Sequence, residues 1–209
     1  MKRAQVMLSV LLLLAILCQS APAQEKHLSP NGRKLKEAWA ELQRKPNDPI
    51  IQKRYLAAFP HDYKSFLELF DLNRELYDDG HEYIDMLPTL ARSHEREVGE
   101  LLVQLGGDAH YDADAPSYLQ HATSTYGSQH TQMFVRYLKS LPPGRQAQLI
   151  AFLADVENPA AYPEYQSIID HLKSLGDSDV AHKFEVAREK RSSQSHRVAH
   201  PFQFRVQYL

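Results

Sequence analysis

The residues with the most chemical potential in this sequence are its histidines and carboxylates. Asp78, Asp79, His81 and Glu82 fall in one short stretch, and Asp108, His110, Asp112 and Asp114 alternate along a second. Carboxylate oxygens and imidazole nitrogens together suit Zn, Mn or Ca. His81, Glu82, Asp108, His110 and Asp112 are therefore the candidate metal ligands, and the candidate contributors to a carboxylate–histidine hydrolase site. Spacing argues the other way. A helix–loop–helix calcium site needs Gly at its sixth position and Glu at its twelfth. Counted from Asp108, those places hold Ala113 and Leu119. A zinc-binding His-Glu-x-x-His helix fails too, because Val98 stands where the second His belongs after His94-Glu95. Acidic residues beside helix starts ordinarily cap exposed N–H groups and complement the helix dipole, and that role accounts for both clusters.

Other chemistries are incomplete. His121 and His130 flank the hydroxyl-rich Thr123-Ser124-Thr125, but no Gly-x-Ser-x-Gly elbow presents a nucleophile. His94 sits on the apolar face of a helical pattern with Tyr83, Leu87 and Leu101, where a histidine is a tuned acid or base, or a hydrogen-bonded residue at the core edge. Gly106-Gly107 lacks the Lys and the glycine spacing of a phosphate loop. Basic residues cluster only at Arg188–Arg191 and the formal net charge is −2, so nucleic acid is not the expected partner. No cofactor is expected. Aromatic residues offer a binding surface instead: Tyr55, Phe59, Tyr63, Phe66 and Phe70 recur at helical spacing, which is also the ordinary pattern of a core. Tyr63 and Phe66, with Phe202, Phe204 and Tyr208 further along, are the candidate partner-binding residues.

The elements that must position these groups read as helices. Residues 1–23 are the exception: Lys2 and Arg3 precede the apolar run Val6–Cys18, and Ala21-Pro22-Ala23 supplies small residues for cleavage before Gln24. This is the pattern of a cleaved export signal, giving a periplasmic or secreted protein. The apolar run is too short to span a bilayer, so no stable transmembrane span is expected after processing. Lipidation at Cys18 is the weaker alternative, because bulky Leu17 precedes it where a small residue belongs. Cys18 is also the only cysteine of the sequence and leaves with the signal, so the mature protein is expected to have no disulfide and no thiolate site.

Beyond Gln24, Pro46, Pro60, Gly106-Gly107, Pro142-Pro143-Gly144, Asn158-Pro159 and Gly176 punctuate apolar stripes at three- and four-residue steps. Asn47 or Asp48 is placed as one N-cap and Asp62 as another. The longest stripe runs from Tyr83 to Leu105, with Pro88 expected to kink or divide it, and a break is expected at Gly127-Ser128. The fold class is all-α: an irregular multi-helix bundle or short helical stack of about eight helices. The domain plan is a signal over 1–23, a polar leader over 24–32, a helical domain over 33–190 and a tail over 191–209. In that tail Phe202, Phe204, Val206 and Tyr208 alternate with Gln203, Arg205 and Gln207, the period of a docking strand.

The run Tyr55-Leu56-Ala57-Ala58-Phe59-Pro60, continued by Asp62-Tyr63-Lys64-Ser65-Phe66 and Leu69-Phe70, resembles a segment of an uncharacterised family of exported all-α bacterial proteins. Tyr111-Asp112-Ala113-Asp114-Ala115 extends the resemblance. It implies export and helicity, and carries no activity. The functional expectation is a module that binds a protein or peptide in the cell envelope or outside the cell. The alternative is the carboxylate–histidine hydrolase.

Overall fold

A computed structural model describes residues 28–110, 114–156 and 163–198. Nine helices lie among the described residues: α1 (Pro30–Arg44), α2 (Pro49–Ala58), α3 (Tyr63–Phe70), α4 (Gly80–Gly106), α5 (Asp114–Gln129), α6 (Thr131–Ser140), α7 (Pro143–Ala154), α8 (Pro163–Ser174) and α9 (Ser178–Val198). The protein is an all-α multi-helix bundle.

Local chemistry explains the boundaries. Asp48 and Asp62 are caps, accepting from the backbone N–H groups of Ile50 and Ser65, each at 2.9 Å. The N–H and hydroxyl of Ser65 hold the Asp62 carboxyl below its ordinary range. Asp79 occupies the N-cap of α4 but makes no side-chain cap bond. The first helix begins inside the expected leader. Ser29 accepts from Gly32 N at 3.0 Å and Pro30 sits at the opening position, so the cap motif draws residues 30–32 into α1. Between α8 and α9, Gly176 adopts φ +79, and the N–H of Asp177 returns to the carbonyl of Leu172 at 2.9 Å. This is a left-handed cap that suits glycine. At the other end α9 runs on to Val198, past the expected start of the tail. Ser192 and Ser193 donate back to the carbonyls of Arg188 and Lys190 at 3.0 and 2.8 Å, which accommodates the hydroxyls within the helix.

The long helix α4 breaks, but not at Pro88. Pro88 is accommodated within it, and the non-helical residue is His94 at φ −134, ψ 45. The break is held by Gln52 of α2. Its amide nitrogen donates to the Pro46 carbonyl at 2.6 Å, leaving Oε1 as the acceptor. That oxygen receives the Ser93 hydroxyl at 2.9 Å and lies 3.0 Å from His94 Nε2, which must therefore carry the proton. His94 is a hydrogen-bonded buried residue of the hinge between two packing environments. A second break falls at His130 (φ −128, ψ 43), separating α5 from α6, while Gly127 stays helical.

Before its break, α4 packs on aromatic side chains from α1 to α3. Tyr83 meets Trp39 at 5.1 Å and Phe70 at 6.0 Å between ring centroids, and Phe66 lies 5.1 Å from Phe70. The hydroxyl of buried Tyr55 donates to the Tyr83 carbonyl at 2.6 Å. Burial raises the Tyr55 phenol well above its ordinary value and pushes Tyr83 up to about 12. After the break, α4 packs on α5 to α7. A Cβ on Gly99 would sit 2.1 Å from the Tyr126 hydroxyl, so only glycine permits this approach of α4 and α5. Tyr126 in turn donates to the Glu95 carbonyl at 3.1 Å, one residue past the break.

The Gln52 network yields the first prediction. Gln52→Leu removes the shared acceptor and leaves the buried His94 Nε2–H unpaired, while the Pro46 carbonyl and the Ser93 hydroxyl, on exposed residues, can turn to water. A loss of about 1–3 kcal/mol of unfolding free energy is expected by urea titration. A change within about 0.5 kcal/mol, the range of an ordinary surface substitution, would show that the break does not depend on these bonds.

Candidate binding groove

Four members of the two acidic–histidine clusters, His81, Asp108, His110 and Asp114, make tertiary contacts in separate places. Asp108 forms a two-pronged ion pair with Arg145 of α7, through Nε and Nη2 at 2.7 Å each. The His110 ring stands edge-on to Tyr63 at 5.4 Å, and the Tyr63 hydroxyl donates to the His110 carbonyl at 3.1 Å. At the start of α4, His81 lies against the Tyr118 ring of α5 at 5.8 Å, and Tyr77 donates to Asp114 at 2.5 Å. Glu82 is exposed. Asp112 lies outside the described residues. Among the described residues, no three His, Cys, Asp or Glu side chains stand where they could hold a metal ion. The carboxylates instead tie α7 to the end of α4 and the start of α5 to the segment before α4.

The hydroxyl–histidine chemistry is occupied in the same way. Thr131 Oγ1 lies 3.2 Å from His171 Nδ1, a pairing that the sequence did not reveal. The proton directions make it structural. His171 Nδ1 is 3.0 Å from the Ser128 carbonyl, which can only accept, so this nitrogen carries the proton and cannot act as a base toward Thr131. Thr131 sends its own hydroxyl proton to the Gly127 carbonyl at 2.8 Å. Together the two side chains cap the carbonyls that the α5–α6 break leaves open. His130 is stacked on Tyr126 at 5.0 Å and faces Glu95 at 3.0 Å through Nδ1. Thr123 donates back to the Leu119 carbonyl within its own helix.

The expected aromatic surface is also a core. Phe66 is 0% and Tyr63 6% exposed, so both are spent inside the bundle and neither is open to a partner. Their i, i+3 spacing turns them inward with Leu69 and Phe70. Phe202, Phe204 and Tyr208 lie outside the described residues.

The open apolar surface is elsewhere, in a groove of about 600 Å³ between α7 and α9. One wall is Pro143, Ala147, Ile150 and Ala151; the other is Val186 and Ala187, with Val186 46% exposed. Small side chains at Ala147 and Ala151, one turn apart, set the walls back from each other. The rim is basic. His182, Lys183, Lys190 and Arg191 line it, against one acid, Asp155, whose carboxylate pairs with Arg191 at 2.6 Å. Lys183 and Lys190 make no ion pair among the described residues.

Both walls are anchored from behind. Phe184 of α9 packs on Tyr165 at 5.4 Å and Phe134 at 6.3 Å, and the Tyr165 hydroxyl donates to the Phe184 carbonyl at 2.7 Å. Leu149 and Phe152 of α7 are buried against α4 near Gly106. Glu185 turns away to Lys173 of α8 at 2.6 Å, and that ammonium holds its carboxyl below the ordinary range. The groove was readable in principle. On α9 Lys183, Val186, Ala187 and Lys190 form a second face at helical spacing, beside the core face of Val180, Ala181 and Phe184.

No family model, curated protein or solved structure matches this chain. No described helix is long and apolar enough to cross a membrane.

The dispersal of the acidic clusters makes a prediction for added metals. Zn, Mn and Ca at millimolar concentration are expected to leave the melting temperature of the chain unchanged. A rise of several degrees that His81→Ala and His110→Ala together abolish would contradict that dispersal.

Proposed function

We propose that this chain is an exported helical binding module of the cell envelope that takes an extended peptide segment in the groove between α7 and α9. The observation that carries the reading is the apolar groove with its basic rim, on a protein whose formal net charge is −2. A groove of this kind selects a peptide with apolar side chains on one face and carboxylates on its flanks. Apolar contacts along Ala147, Ile150, Ala151 and Val186 supply area, and Lys183 and Lys190 supply orientation and a faster encounter. Export rests on the charged start, apolar run and small-residue cleavage site over residues 1–23. The resemblance to exported all-α bacterial proteins agrees with it. The hydrolase alternative has no supporting geometry to carry it further: His81, Asp108 and His110 are held in separate contacts between elements, Glu82 is exposed, and Asp112 lies outside the described residues.

The test uses the protein recovered from the periplasm of a bacterial host, where Gln24 is the expected first residue. A fluorescein-labelled peptide of alternating phenylalanine and glutamate is titrated while anisotropy is read. Binding in the micromolar range that weakens with added salt is expected. Ala151→Trp, which fills the groove from an exposed helix position, is expected to weaken it about tenfold or more, and Lys183→Glu with Lys190→Glu to weaken it similarly. Unchanged affinity in a folded Ala151→Trp protein would overturn the assignment of the groove.

A further inference from the structure

The two ends of the groove differ. Lys139, shortly before α7, pairs with Asp177, just before α9. Asp155, which follows α7, pairs with Arg191 late in α9 at 2.6 Å. The two walls therefore run in the same direction, with Pro143 and His182 at one end and Asp155 and Arg191 at the other. At the Pro143 end no lining residue bonds across the groove: Gln146 turns to the Leu141 carbonyl at 2.8 Å, and His182 faces Glu185 of its own helix. At the Asp155 end the ion pair joins one wall to the other, and Asp155 Oδ1 and Arg191 Nε are inaccessible to solvent. This stop is held in place. The N–H of Asp155 returns to the Phe152 carbonyl at 3.2 Å, and its carbonyl receives the amide of buried Gln120 at 3.0 Å.

A chain lying in a groove closed at one end must stop there or lift out of it. The rim residue beside the stop is Lys190, whose ammonium makes no ion pair among the described residues. A chain that stops by its C-terminus brings a carboxylate to Lys190. A chain that stops by its N-terminus brings an ammonium against Lys190 and Arg191, while the Asp155 carboxylate is already taken. We infer that the α7–α9 groove captures the C-terminal end of a polypeptide, with the terminal carboxylate at Lys190 and the preceding residues running back toward Pro143. The inference rests on the groove being the binding site proposed above, and narrows its ligand from an acidic, apolar segment to a chain end.

Dimensions fit a short chain end. From Pro143 to Asp155 the α7 wall is about 18 Å long at about 1.5 Å per helical residue, room for about five extended residues at about 3.3 Å each. Capture of a terminal carboxylate is one of the recurring ways in which proteins recognise peptides. Every C-terminus supplies that carboxylate, so selection among ligands falls to the apolar side chains and to Lys183, about 10 Å from Lys190 along α9. A carboxylate side chain near the middle of the captured segment is what Lys183 recognises.

Titration of the exported protein with modified forms of the phenylalanine–glutamate peptide tests the inference. Relative to the free acid, a C-terminal amide is expected to weaken binding about threefold to fivefold. A short glycine–serine extension after the C-terminus is expected to weaken it about tenfold, and the same extension before the N-terminus less than twofold. An amide peptide with one added glutamate restores the charge without the chain end, and is expected to stay weak. Its recovery to the affinity of the free acid would overturn end capture in favour of charge alone. Asp155→Ala and Arg191→Ala open the stop from opposite walls, and in each the penalty for the C-terminal extension is expected to fall below about threefold. A tenfold penalty that persists in both folded variants would overturn the stop. All forms binding within twofold of one another would overturn end capture, and would leave the groove standing if Ala151→Trp still weakens them. Equal binding that also ignores Ala151→Trp, or no binding of any form, would overturn the groove and the end capture together.

Discussion

Gln52 Oε1 receives the Ser93 hydroxyl and the His94 ring nitrogen at the point where α4 leaves helical geometry, and the arrangement of the bundle depends on that shared acceptor. Because the other end of the same amide is committed to the Pro46 carbonyl, the acceptor has one orientation and His94 one tautomer. The break divides the longest helix into two packing faces. The first meets Trp39, Tyr55 and Phe70; the second meets Tyr126, Tyr137 and Leu149. The polar network is thus a positional device in a mostly apolar core, with every member bonded.

From the break, position passes outward through close packing. Gly99 admits the Tyr126 ring, and Gly106 admits Leu149 of α7, whose Cδ1 would lie 2.5 Å from a Cβ there. Arg145 then clasps Asp108 and the Gln104 carbonyl, fixing the opening turn of α7 to the end of α4. On the other side Phe184 and Lys173 hold α9 to α6 and α8. The two walls of the groove are therefore set by contacts on their buried sides. Their outer faces are left to small and basic residues. A groove whose walls are fixed in this way pays little ordering cost on binding.

How much of this is legible in the sequence depends on whether the signal is local. The cap at Asp62, proline-opened helices and the glycine after α8 can all be read, and the cap before Pro49 to within Asn47 or Asp48, because each is a short-range hydrogen-bond or dihedral constraint. For the break of α4 the sequence points to Pro88, since proline is the usual local cause; the break falls instead at His94, whose partner Gln52 stands on a helix 42 residues earlier in the chain. Tyr63 and Phe66 pattern as a binding surface for a related reason. Periodicity shows that residues share a face but not whether another helix covers it. The charge clusters mislead in the opposite sense: side chains that alternate along the chain are sent by the turn after α4 to Arg145, Tyr63 and Tyr77 separately. The groove itself is hidden in alanines. Ala147 and Ala151 carry no chemistry of their own, and matter only through the space they leave beside α9.

Hydrogen exchange read by mass spectrometry tests the central claim most directly, on the exported protein with and without the phenylalanine–glutamate peptide. Slowed exchange is expected to be confined to Pro143–Asp155 and His182–Arg191, with the helices α1 to α3 unchanged. Protection centred on α1 to α3, or no protection anywhere at saturating peptide, would contradict it.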